Sequence, residues 1–471
     1  MQAKIFFGST QAVTQEVSER KSPYSGEVVS TAPICSADDA NKALQIAQQA
    51  TVAAKASTLA QRCSWLLDVA QKLKQNKEDI AQTITDEVGK PIAFARVEVE
   101  RCIETVTLSA ETMRTMHGET INTDAMASGK KTLSFFRRES VGVVVAITPF
   151  NFPLNLVAHK LAPALVAGNT VVLKPTPEAP LTAYKFAKLF VDSEYAIKDA
   201  LSVVYGDAEV GSALITSDIP RVISFTGSVP VGNIITKNAG IKKVSLELGG
   251  NAATYIDKSA DLQLAASRCA LGAFVNSGQV CISLQRIYVN ADIYDEFASL
   301  VAEETKKLVV GSPYDEETFM GPLIDDEAAT RAMKWVESAI EEGATALLTP
   351  KHEGRMFYPC VMADVRDDMA IVCEEVFAPI VSLVKVNDFD DACPRMNNSP
   401  YGLQFSVFTN DLNLSQRAIN ELDAGGIVIN DMPTLRFDIQ PYGGVKLSGV
   451  GREGPRYAIE EMTEIKSIII C

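Results

Sequence analysis

The sequence predicts an α/β protein with a doubly wound parallel sheet, and two features of residues 141–246 predict it. First, short β-branched runs such as Val143–Ile147 are bounded by glycine and proline, which is typical of strands buried on both faces. Second, helical segments separate these runs, and strands that alternate with helices form the βαβ units of a parallel sheet. Such a sheet binds ligands where the carboxyl ends of its strands meet.

The predicted elements follow in order from residue 36. Residues 36–118 are rich in helix-forming side chains, notably in segments 36–54 and 58–89, with Ser36 as the first N-cap. A strand is predicted at 131–138. Strands at 141–147, 170–173, 201–204, 222–225 and 243–246 then alternate with helices at 153–167, 180–192, 208–216 and 230–239. A second α/β series, from about 251 to 429, has helices at 260–276, 293–308 and 326–342 and a strand at 286–289.

The last predicted element is a C-terminal strand, Thr463–Ile470. It is apolar and β-branched, and no partner strand lies nearby in the sequence. Because an exposed strand of this kind invites aggregation, we expect another chain to cover it.

The composition argues against several classes of function. A net charge of −15 disfavours nucleic acid, whose phosphates need a basic face, and an anionic membrane surface. No apolar run is long enough to span a bilayer, and the N-terminus lacks the pattern of a signal peptide. Nine cysteines without a CxxC pair indicate reduced thiols and a cytoplasmic location. With three histidines, none spaced for joint ligation, no metal site is expected.

Three residues are candidates for the chemistry. Cys281, in NSGQVCIS, lies between a predicted helix and a strand, where a thiolate nucleophile is accessible. The alternative is a small buried apolar residue. Glu247 ends a strand before two glycines and is either a partly desolvated general base or a surface carboxylate in a turn. Asn151, in TPFNFP, is either an oxyanion donor or an ordinary cap residue.

Two further segments suit a phosphate or a ribose. Gly227, Ser228 and Gly232 join a strand to a helix, and such glycines let the backbone approach an anion at the helix N-terminus. A glycine in a βα turn is also common without any ligand. Lys174, held by the following Pro175, is either a contact to ribose or phosphate or an exposed loop lysine.

Taken together and in order, these segments resemble the aldehyde dehydrogenase superfamily from about residue 20 to the C-terminus. The strings that carry the resemblance are TPFNFPLNLVAHKLAPALVAGNTVVLKP, ISFTGSVPVG, LELGGN, GQVC, EEVFAPI, NNSPYGL and PYGGVKLSGVGREG.

The resemblance implies a Rossmann-type cofactor domain, an α/β catalytic domain and a small β oligomerisation element. The corresponding ranges are 1–118 and 140–246 for the cofactor domain, 247–430 for the catalytic domain, and 119–139 and 455–471 for the oligomerisation strands. It further implies a homodimer or homotetramer in which a neighbouring subunit buries the C-terminal strand.

The resemblance also implies roles for individual residues. Cys281 would be the nucleophile, Asn151 with the Cys281 backbone N–H the oxyanion hole, and Glu247 the base that activates the deacylating water. NAD or NADP would accept the hydride. The residues implied in binding it are Thr148, Pro149, Lys174, Gly227, Ser228, Gly232, Glu375 and Phe377.

The coenzyme preference stays open at this point. NAD-selective members of the superfamily usually carry a glutamate three residues after the lysine, where it binds the ribose hydroxyls. Here that position is Pro177, and Glu178 follows one place later. Without that carboxylate a 2′-phosphate is not repelled, which makes NADP use plausible.

The C-terminal strings resemble the branch with lactaldehyde and non-phosphorylating glyceraldehyde-3-phosphate dehydrogenases. Arg101 and Arg436 match two tunnel arginines of members that take phosphorylated aldehydes, whereas the third position is Val280. Either arginine is alternatively an interdomain ion pair. His159 is alternatively a tunnel residue or a packed histidine. Candidate substrates are lactaldehyde, glyceraldehyde 3-phosphate and succinate semialdehyde.

Two other functions compete with this interpretation. The first is a CoA-acylating semialdehyde dehydrogenase of the same superfamily. Those that resemble methylmalonate-semialdehyde dehydrogenase replace the base at the position of Glu247, so the glutamate here favours hydrolysis. A catalytically silent structural protein on the same fold would have no need of Asn151, Glu247 and Cys281, which are all present.

Overall fold

The computed structural model describes residues 1–471 and contains fifteen α-helices. Four of them come in succession near the N-terminus, and most of the others alternate with strands. In chain order they are α1 (Ala37–Ala56), α2 (Leu59–Gln75), α3 (Lys77–Val88), α4 (Ile92–Thr115), α5 (Asn155–Val166), α6 (Pro180–Val191), α7 (Ala208–Thr216), α8 (Val229–Asn238), α9 (Leu262–Phe274), α10 (Tyr294–Lys306), α11 (Asp326–Glu341), α12 (Ala370–Cys373), α13 (Phe389–Asn397), α14 (Leu412–Glu421) and α15 (Pro455–Glu461).

Twenty-four strands form two large sheets and four small ones. In chain order they are β1 (Ile5–Phe7), β2 (Thr10–Ala12), β3 (Val17–Lys21), β4 (Val28–Pro33), β5 (Thr120–Asn122), β6 (Leu133–Ser140), β7 (Val143–Ile147), β8 (Thr170–Lys174), β9 (Leu201–Val203), β10 (Pro220–Thr226), β11 (Lys243–Glu247), β12 (Ala252–Ile256), β13 (Leu284–Asn290), β14 (Thr345–Ala346), β15 (His352–Glu353), β16 (Met356–Phe357), β17 (Cys360–Ala363), β18 (Ile380–Val386), β19 (Tyr401–Gly402), β20 (Gln404–Phe408), β21 (Gly426–Ile429), β22 (Val445–Lys446), β23 (Gly449–Val450) and β24 (Thr463–Ile470).

The first large sheet has eight strands in the order β2-β1-β9-β8-β7-β10-β11-β23. Its five central strands, from β9 to β11, are parallel. From β7 the chain winds outward through β8 and β9, then crosses back and winds the other way through β10 and β11. The direction changes between β7 and β10, where Ile147 lies beside Phe225. A doubly wound sheet binds its ligand in the crevice at this point.

The second large sheet has seven strands in the order β14-β17-β18-β13-β12-β20-β21. All pairs are parallel except the one that joins the edge strand β14 to β17. The two large sheets pack against separate apolar cores. The predicted α/β fold is therefore confirmed. Strand β23 pairs with β11 and joins the first sheet, although the predicted domain ranges leave it unassigned.

Local sequence signals account for the helix ends near the N-terminus. The Ser36 hydroxyl accepts a hydrogen bond from the Asp39 N–H at 3.2 Å, and the Asp39 carboxylate accepts one from the Ser36 N–H at 2.9 Å. This capping box confirms Ser36 as the N-cap of α1. The predicted helical segment 58–89 is two helices, because Asn76 closes α2 and opens α3. Gly89 ends α3 in the left-handed conformation, with φ of 70°.

The C-terminal strand β24 has a partner within its own chain. It pairs antiparallel with β6, from Thr463 opposite Ser140 to Ile470 opposite Leu133, and β5 completes a three-stranded sheet. The predicted oligomerisation strand at 455–471 is wrong in its first part, because Pro455–Glu461 forms helix α15. Proline in the first turn favours a helix start, and α15 packs against α4 and α5.

None of the fifteen helices combines the length and the apolar character that crossing a bilayer requires. No cluster of three or more His, Cys, Asp or Glu side chains has an arrangement that holds a metal ion. All nine cysteines are free thiols.

Candidate active site

One cavity of about 490 Å³ lies at the carboxyl ends of β7, β10 and β11, which is the crevice of the first sheet. The first residues of the loops after these strands form one wall, and the loop before β13 from the second sheet forms another. Of the residues predicted from the sequence, those that line it are Asn151, Pro149, Cys281, Glu247, Gly227, Ser228, Glu375, Phe377, Arg101 and Arg436.

Cys281 follows the short helical turn Val275–Gly278, in which Asn276 and Ser277 have positive φ angles of 52° and 56°. Its side chain is half-buried, and its Sγ lies 3.0 Å from the Tyr442 hydroxyl oxygen. Burial raises the pKa of the Cys281 thiol to about 12, although the Tyr442 hydrogen bond and the Arg436 charge oppose this shift. The thiol is therefore protonated near neutral pH in this arrangement.

Asn151 lies four residues beyond the end of β7, directly beside the loop that carries Cys281. Its Nδ2 donates to the Gln279 carbonyl at 3.0 Å, and its Oδ1 accepts from the Phe152 N–H at 3.1 Å. Both bonds fix the plane of the amide. Since an amide NH₂ has two hydrogens, one remains to donate to an oxyanion.

Glu247 is the last residue of β11 and is buried, with 3% of its surface exposed. Neither of its carboxylate oxygens has a hydrogen-bond partner. Burial, reinforced by the Glu453 charge, raises the pKa of Glu247 well above its usual range. Buried polar groups normally have partners, so a carboxyl without one beside a cavity is typical of a functional group.

A buried ion-pair cluster lies behind Glu247. Glu453 accepts from Lys160 Nζ at 3.1 Å and from Arg436 Nη2 at 3.1 Å. Burial would raise the pKa of Glu453, but Lys160, His159 and Arg436 lower it to about 2. Glu453 and Lys160 were not among the residues that the sequence singled out. Their signals were present, because both lie in strings that carry the family resemblance.

Arg101, which lines the cavity, forms a bidentate ion pair with the buried Asp438, with distances of 2.9 and 2.8 Å. His159 is buried, does not line the cavity, and has its Nε2 3.0 Å from the same carboxylate. The geometry therefore fits a packed histidine. Val280 lines the cavity and belongs to a small apolar cluster with Tyr442.

The residues on the opposite side fit the nicotinamide half of a dinucleotide. Glu375 Oε1 accepts from the Gly250 N–H at 2.8 Å, and burial raises the pKa of Glu375 to about 7. Phe377 has a positive φ of 48°, and its ring meets Phe150 edge-on at 6.1 Å. The buried Thr226 hydroxyl has no partner and lies in the same wall. An unsatisfied hydroxyl, a carboxyl and an aromatic face suit a ribose and a planar ring.

Three predicted cofactor residues lie outside this cavity. Thr148 and Lys174 are adjacent at the carboxyl ends of the central strands β7 and β8, where the Thr148 N–H donates to the Lys174 carbonyl at 3.3 Å. Burial lowers the pKa of Lys174, while the Glu178 and Asp207 carboxylates oppose that shift. Gly232 lies in α8 against Leu248, whose Cδ2 would be 2.7 Å from an added Cβ. Close packing against Leu248 therefore explains why a glycine stands at position 232, which the sequence alone did not show.

A doubly wound sheet whose crevice holds a thiol, a carboxyl and an amide is suited to bind a dinucleotide beside a nucleophile, a base and a hydrogen-bond donor. The chain belongs to the aldehyde dehydrogenase family, whose family model matches residues 10–468, and it is an NAD(P)-dependent enzyme of that family.

Similar proteins match over nearly the whole length. The 3-sulfolactaldehyde dehydrogenase of Priestia aryabhattai is 42% identical over 99% of this chain and 97% of its own. The lactaldehyde dehydrogenase of Methanocaldococcus jannaschii is 42% identical over 95% and 96%. Among solved structures, the NADP-dependent glyceraldehyde-3-phosphate dehydrogenase of Bacillus halodurans, complexed with NADP, has a TM-score of 0.98 at 33% identity, covering 100% of this chain and 99% of that one.

Proposed function

We propose that this enzyme oxidises a short hydroxylated or anionic aldehyde to its carboxylic acid, using NAD⁺ or NADP⁺. The observation that carries the proposal is the meeting of Cys281, Asn151 and Glu247 in one cavity. The relatives support the substrate class, since they are named for lactaldehyde, 3-sulfolactaldehyde and glyceraldehyde 3-phosphate. Candidate substrates are lactaldehyde, glyceraldehyde 3-phosphate and succinate semialdehyde.

The proposed reaction has two stages. The Cys281 thiol loses its proton to solvent, Sγ bonds to the aldehyde carbon as the carbonyl π bond opens, and the Asn151 amide and the Cys281 backbone N–H donate to the resulting oxyanion. As the oxyanion collapses to a thioester on Cys281, the aldehyde hydrogen leaves as hydride, for which bound NAD⁺ or NADP⁺ would be the acceptor. Glu247 then takes a proton from the water that attacks the thioester, which releases the acid and the thiol.

The residues proposed to hold the dinucleotide form three groups. Glu375 and Phe377 would bind the nicotinamide ribose and flank the ring, and Gly227, Ser228 and Gly232 would lie near the pyrophosphate in the first turn of α8 and the loop before it. Lys174 would contact the adenosine ribose, and Thr148 and Pro149 would also contact the cofactor. Pro177 is exposed, and Glu178 is half-buried with its charge acting on Lys174. The environments of Pro177 and Glu178 are compatible with either cofactor, and kinetics with both NAD⁺ and NADP⁺ decides between them.

The charges around the cavity favour an anionic substrate. The cations in and behind the cavity wall are Lys90, Arg101, Arg436 and Lys160, and the carboxylates paired with them are Glu98, Asp438 and Glu453. One positive charge is therefore uncompensated as long as Glu247 and Glu375, whose pKa values burial raises, are protonated. Arg436 is the more enclosed arginine, with 10% of its side chain exposed against 26% for Arg101. We propose that Arg101 contacts the distal anionic group of the substrate directly, and that Arg436, which is more enclosed, contributes positive charge to the cavity wall.

The test is a kinetic panel of short aldehydes, neutral and anionic, each with NAD⁺ and with NADP⁺. Formation of reduced cofactor together with free acid supports the proposal. A requirement for coenzyme A would instead assign the chain to the acylating semialdehyde dehydrogenases, which lack a base at the position of Glu247. Absence of turnover with every aldehyde would favour a structural protein on this fold.

Replacing Arg101 with leucine should raise KM for glyceraldehyde 3-phosphate and leave KM for propanal nearly unchanged. A charge-assisted hydrogen bond contributes about 1.5–3 kcal/mol, which corresponds to a roughly ten- to hundredfold change in kcat/KM. The measurement is steady-state kinetics with both aldehydes. Arg101→Lys is the matched control, because lysine keeps the positive charge but cannot form the bidentate guanidinium contact with Asp438. We expect an intermediate KM for this variant. Equal losses for both substrates would mean that Arg101 only supports the fold.

We also propose a homodimer or homotetramer in which the small sheet of β5, β6 and β24 meets a neighbouring subunit. The outer edge of β24 is unpaired, and Ile465 and Ile469 are 57% and 62% exposed. Unpaired edges and exposed apolar side chains favour association. The nine free thiols support a reducing, cytoplasmic location.

Light scattering at micromolar concentration should therefore give the mass of a dimer or tetramer. Changing Ile465 and Ile469 to lysine places charge on this face and should shift the mass toward that of one chain. The same double change at the exposed apolar positions Val52 and Leu412, which lie outside the small sheet, is the control and should leave the assembly intact. A monomeric mass for the unchanged protein would contradict the proposal.

A further inference from the structure

Tyr442 is the side chain that contacts the sulfur of Cys281. Its hydroxyl oxygen lies 3.0 Å from Sγ, and no other side chain forms a hydrogen bond with this thiol. Tyr442 lies in the loop between β21 and β22, and it was not among the residues that the sequence singled out. It is 6% exposed and packs with Val280, Ile282 and Leu403.

Backbone hydrogen bonds fix the main chain of Tyr442, and a cation fixes its ring. Its backbone N–H donates to the Glu453 carbonyl at 3.0 Å, and its own carbonyl accepts from the Glu453 N–H at 2.6 Å. The Arg436 guanidinium lies over the ring, 3.7 Å from its centroid, and is itself anchored by the Glu453 carboxylate at 3.1 Å. A cation over an aromatic face is attracted to it, so Arg436 fixes the direction in which the phenol points.

We propose that Tyr442 is a further catalytic residue, whose hydroxyl donates a hydrogen bond to the thiolate of Cys281, with Arg436 as the residue that positions its ring. The inference rests on the proposed role of Cys281 as nucleophile. A hydrogen bond to the charged form of a group favours that form. In the resting thiol the hydroxyl holds the sulfur in place, and when the thiol loses its proton the same contact stabilises the anion.

Other charged groups also face this thiol. The Arg436 cation favours the thiolate, whereas the Glu247 and Glu375 carboxyls and burial itself disfavour it. The Tyr442 hydroxyl and Arg436 are thus the two groups that offset burial. If the hydroxyl is removed, the pKa of Cys281 should rise and the thiolate fraction at a given pH should fall.

The experiment measures alkylation of Cys281 by iodoacetamide over a range of pH, with the modified peptide quantified by mass spectrometry. In this reaction the sulfur displaces iodide and the thiol proton passes to solvent. Tyr442→Phe should slow alkylation at least about tenfold at a fixed pH near neutrality, which is one pKa unit. Tyr294→Phe is the matched control, because Tyr294 is also 6% exposed and its hydroxyl donates to the Leu383 carbonyl outside the cavity. Its profile should match the unchanged protein.

Activity provides a second readout. Tyr442→Phe should lower kcat/KM by a similar factor for anionic and neutral aldehydes, unlike Arg101→Leu, which separates them. Arg436→Lys retains a charge for Glu453 but loses the planar stack, so its alkylation profile should shift in the same direction. This second variant keeps the proposal testable if Tyr442→Phe melts at a much lower temperature. The exposed Cys373 and Cys471 serve as internal standards of reagent activity.

An alkylation profile of Tyr442→Phe that superimposes on that of the unchanged protein would overturn the proposal, as would faster alkylation. These outcomes are separate from failure of the proposed function. If Cys281→Ser retained turnover, the nucleophile would be wrong, yet the profile of Cys281 would still report whether the Tyr442 hydroxyl acts on its sulfur.

Discussion

Replacing Cys281 with serine is expected to reduce aldehyde oxidation by at least about a thousandfold, the scale seen when a nucleophile is removed from an enzyme. A serine hydroxyl is protonated near neutral pH and is a much poorer nucleophile than a thiolate. The cavity holds no second thiol that would replace Cys281. The measurement is formation of reduced cofactor by purified protein, with an aldehyde that the unchanged enzyme turns over.

Cys393→Ser is the control for this experiment. Cys393 is buried in the core of the second sheet, and its thiol lies 3.7 Å from the Glu421 carbonyl, to which a serine hydroxyl can also donate. This variant should retain turnover. Near-normal turnover by Cys281→Ala would show that the covalent mechanism is wrong.

The second large effect is expected from Glu247→Gln. The amide keeps the shape of the side chain but cannot take a proton from water, so thioester hydrolysis should slow about a hundred- to ten-thousandfold. Acylation and hydride transfer precede that step and should be spared. Rapid mixing should therefore show a burst of reduced cofactor, stoichiometric with active sites, followed by a stalled steady state.

The pH dependence of the unchanged enzyme gives a related readout. Because burial raises the pKa of Glu247 well above its usual range, its basic form is present only at higher pH. Steady-state turnover should rise with pH as Glu247 loses its proton and fall as pH is lowered. Glu247→Gln should lose this rise while its burst persists. Loss of the burst together with turnover would assign Glu247 an earlier role, such as activation of the thiol.

The amino-acid sequence was sufficient to predict the fold class and the main elements. β7 and β24 occupy the predicted runs almost residue for residue, and Ser36 caps α1 as expected. These features depend on the period of apolar side chains and on capping side chains a few residues away, which are local properties of the chain. Ordered motifs identified Cys281 and Glu247 as candidates, and the fold brings both into one cavity.

Only the tertiary structure decided which side chains meet across the cavity. Tyr442 and Cys281 are 161 residues apart in the chain, and Arg101 and Asp438 are 337 apart. No periodicity links such pairs, because Arg101 lies on helix α4 and the other three residues lie on loops, and the packing of whole elements sets where these segments meet. The sequence therefore left Arg101 open as either a substrate contact or an ion pair, and the structure adds Asp438 as its partner.

Packing also decided the conformation of the C-terminal segment. The sequence predicted a strand at Thr463–Ile470 but not its partner β6, which lies more than three hundred residues earlier in the chain. Strand pairing joins backbone groups that are remote in sequence, so alternation can identify a strand without identifying its neighbour. Residues Pro455–Glu461 form a helix because α4 and α5 offer a surface for it, and that surface exists only in the folded protein.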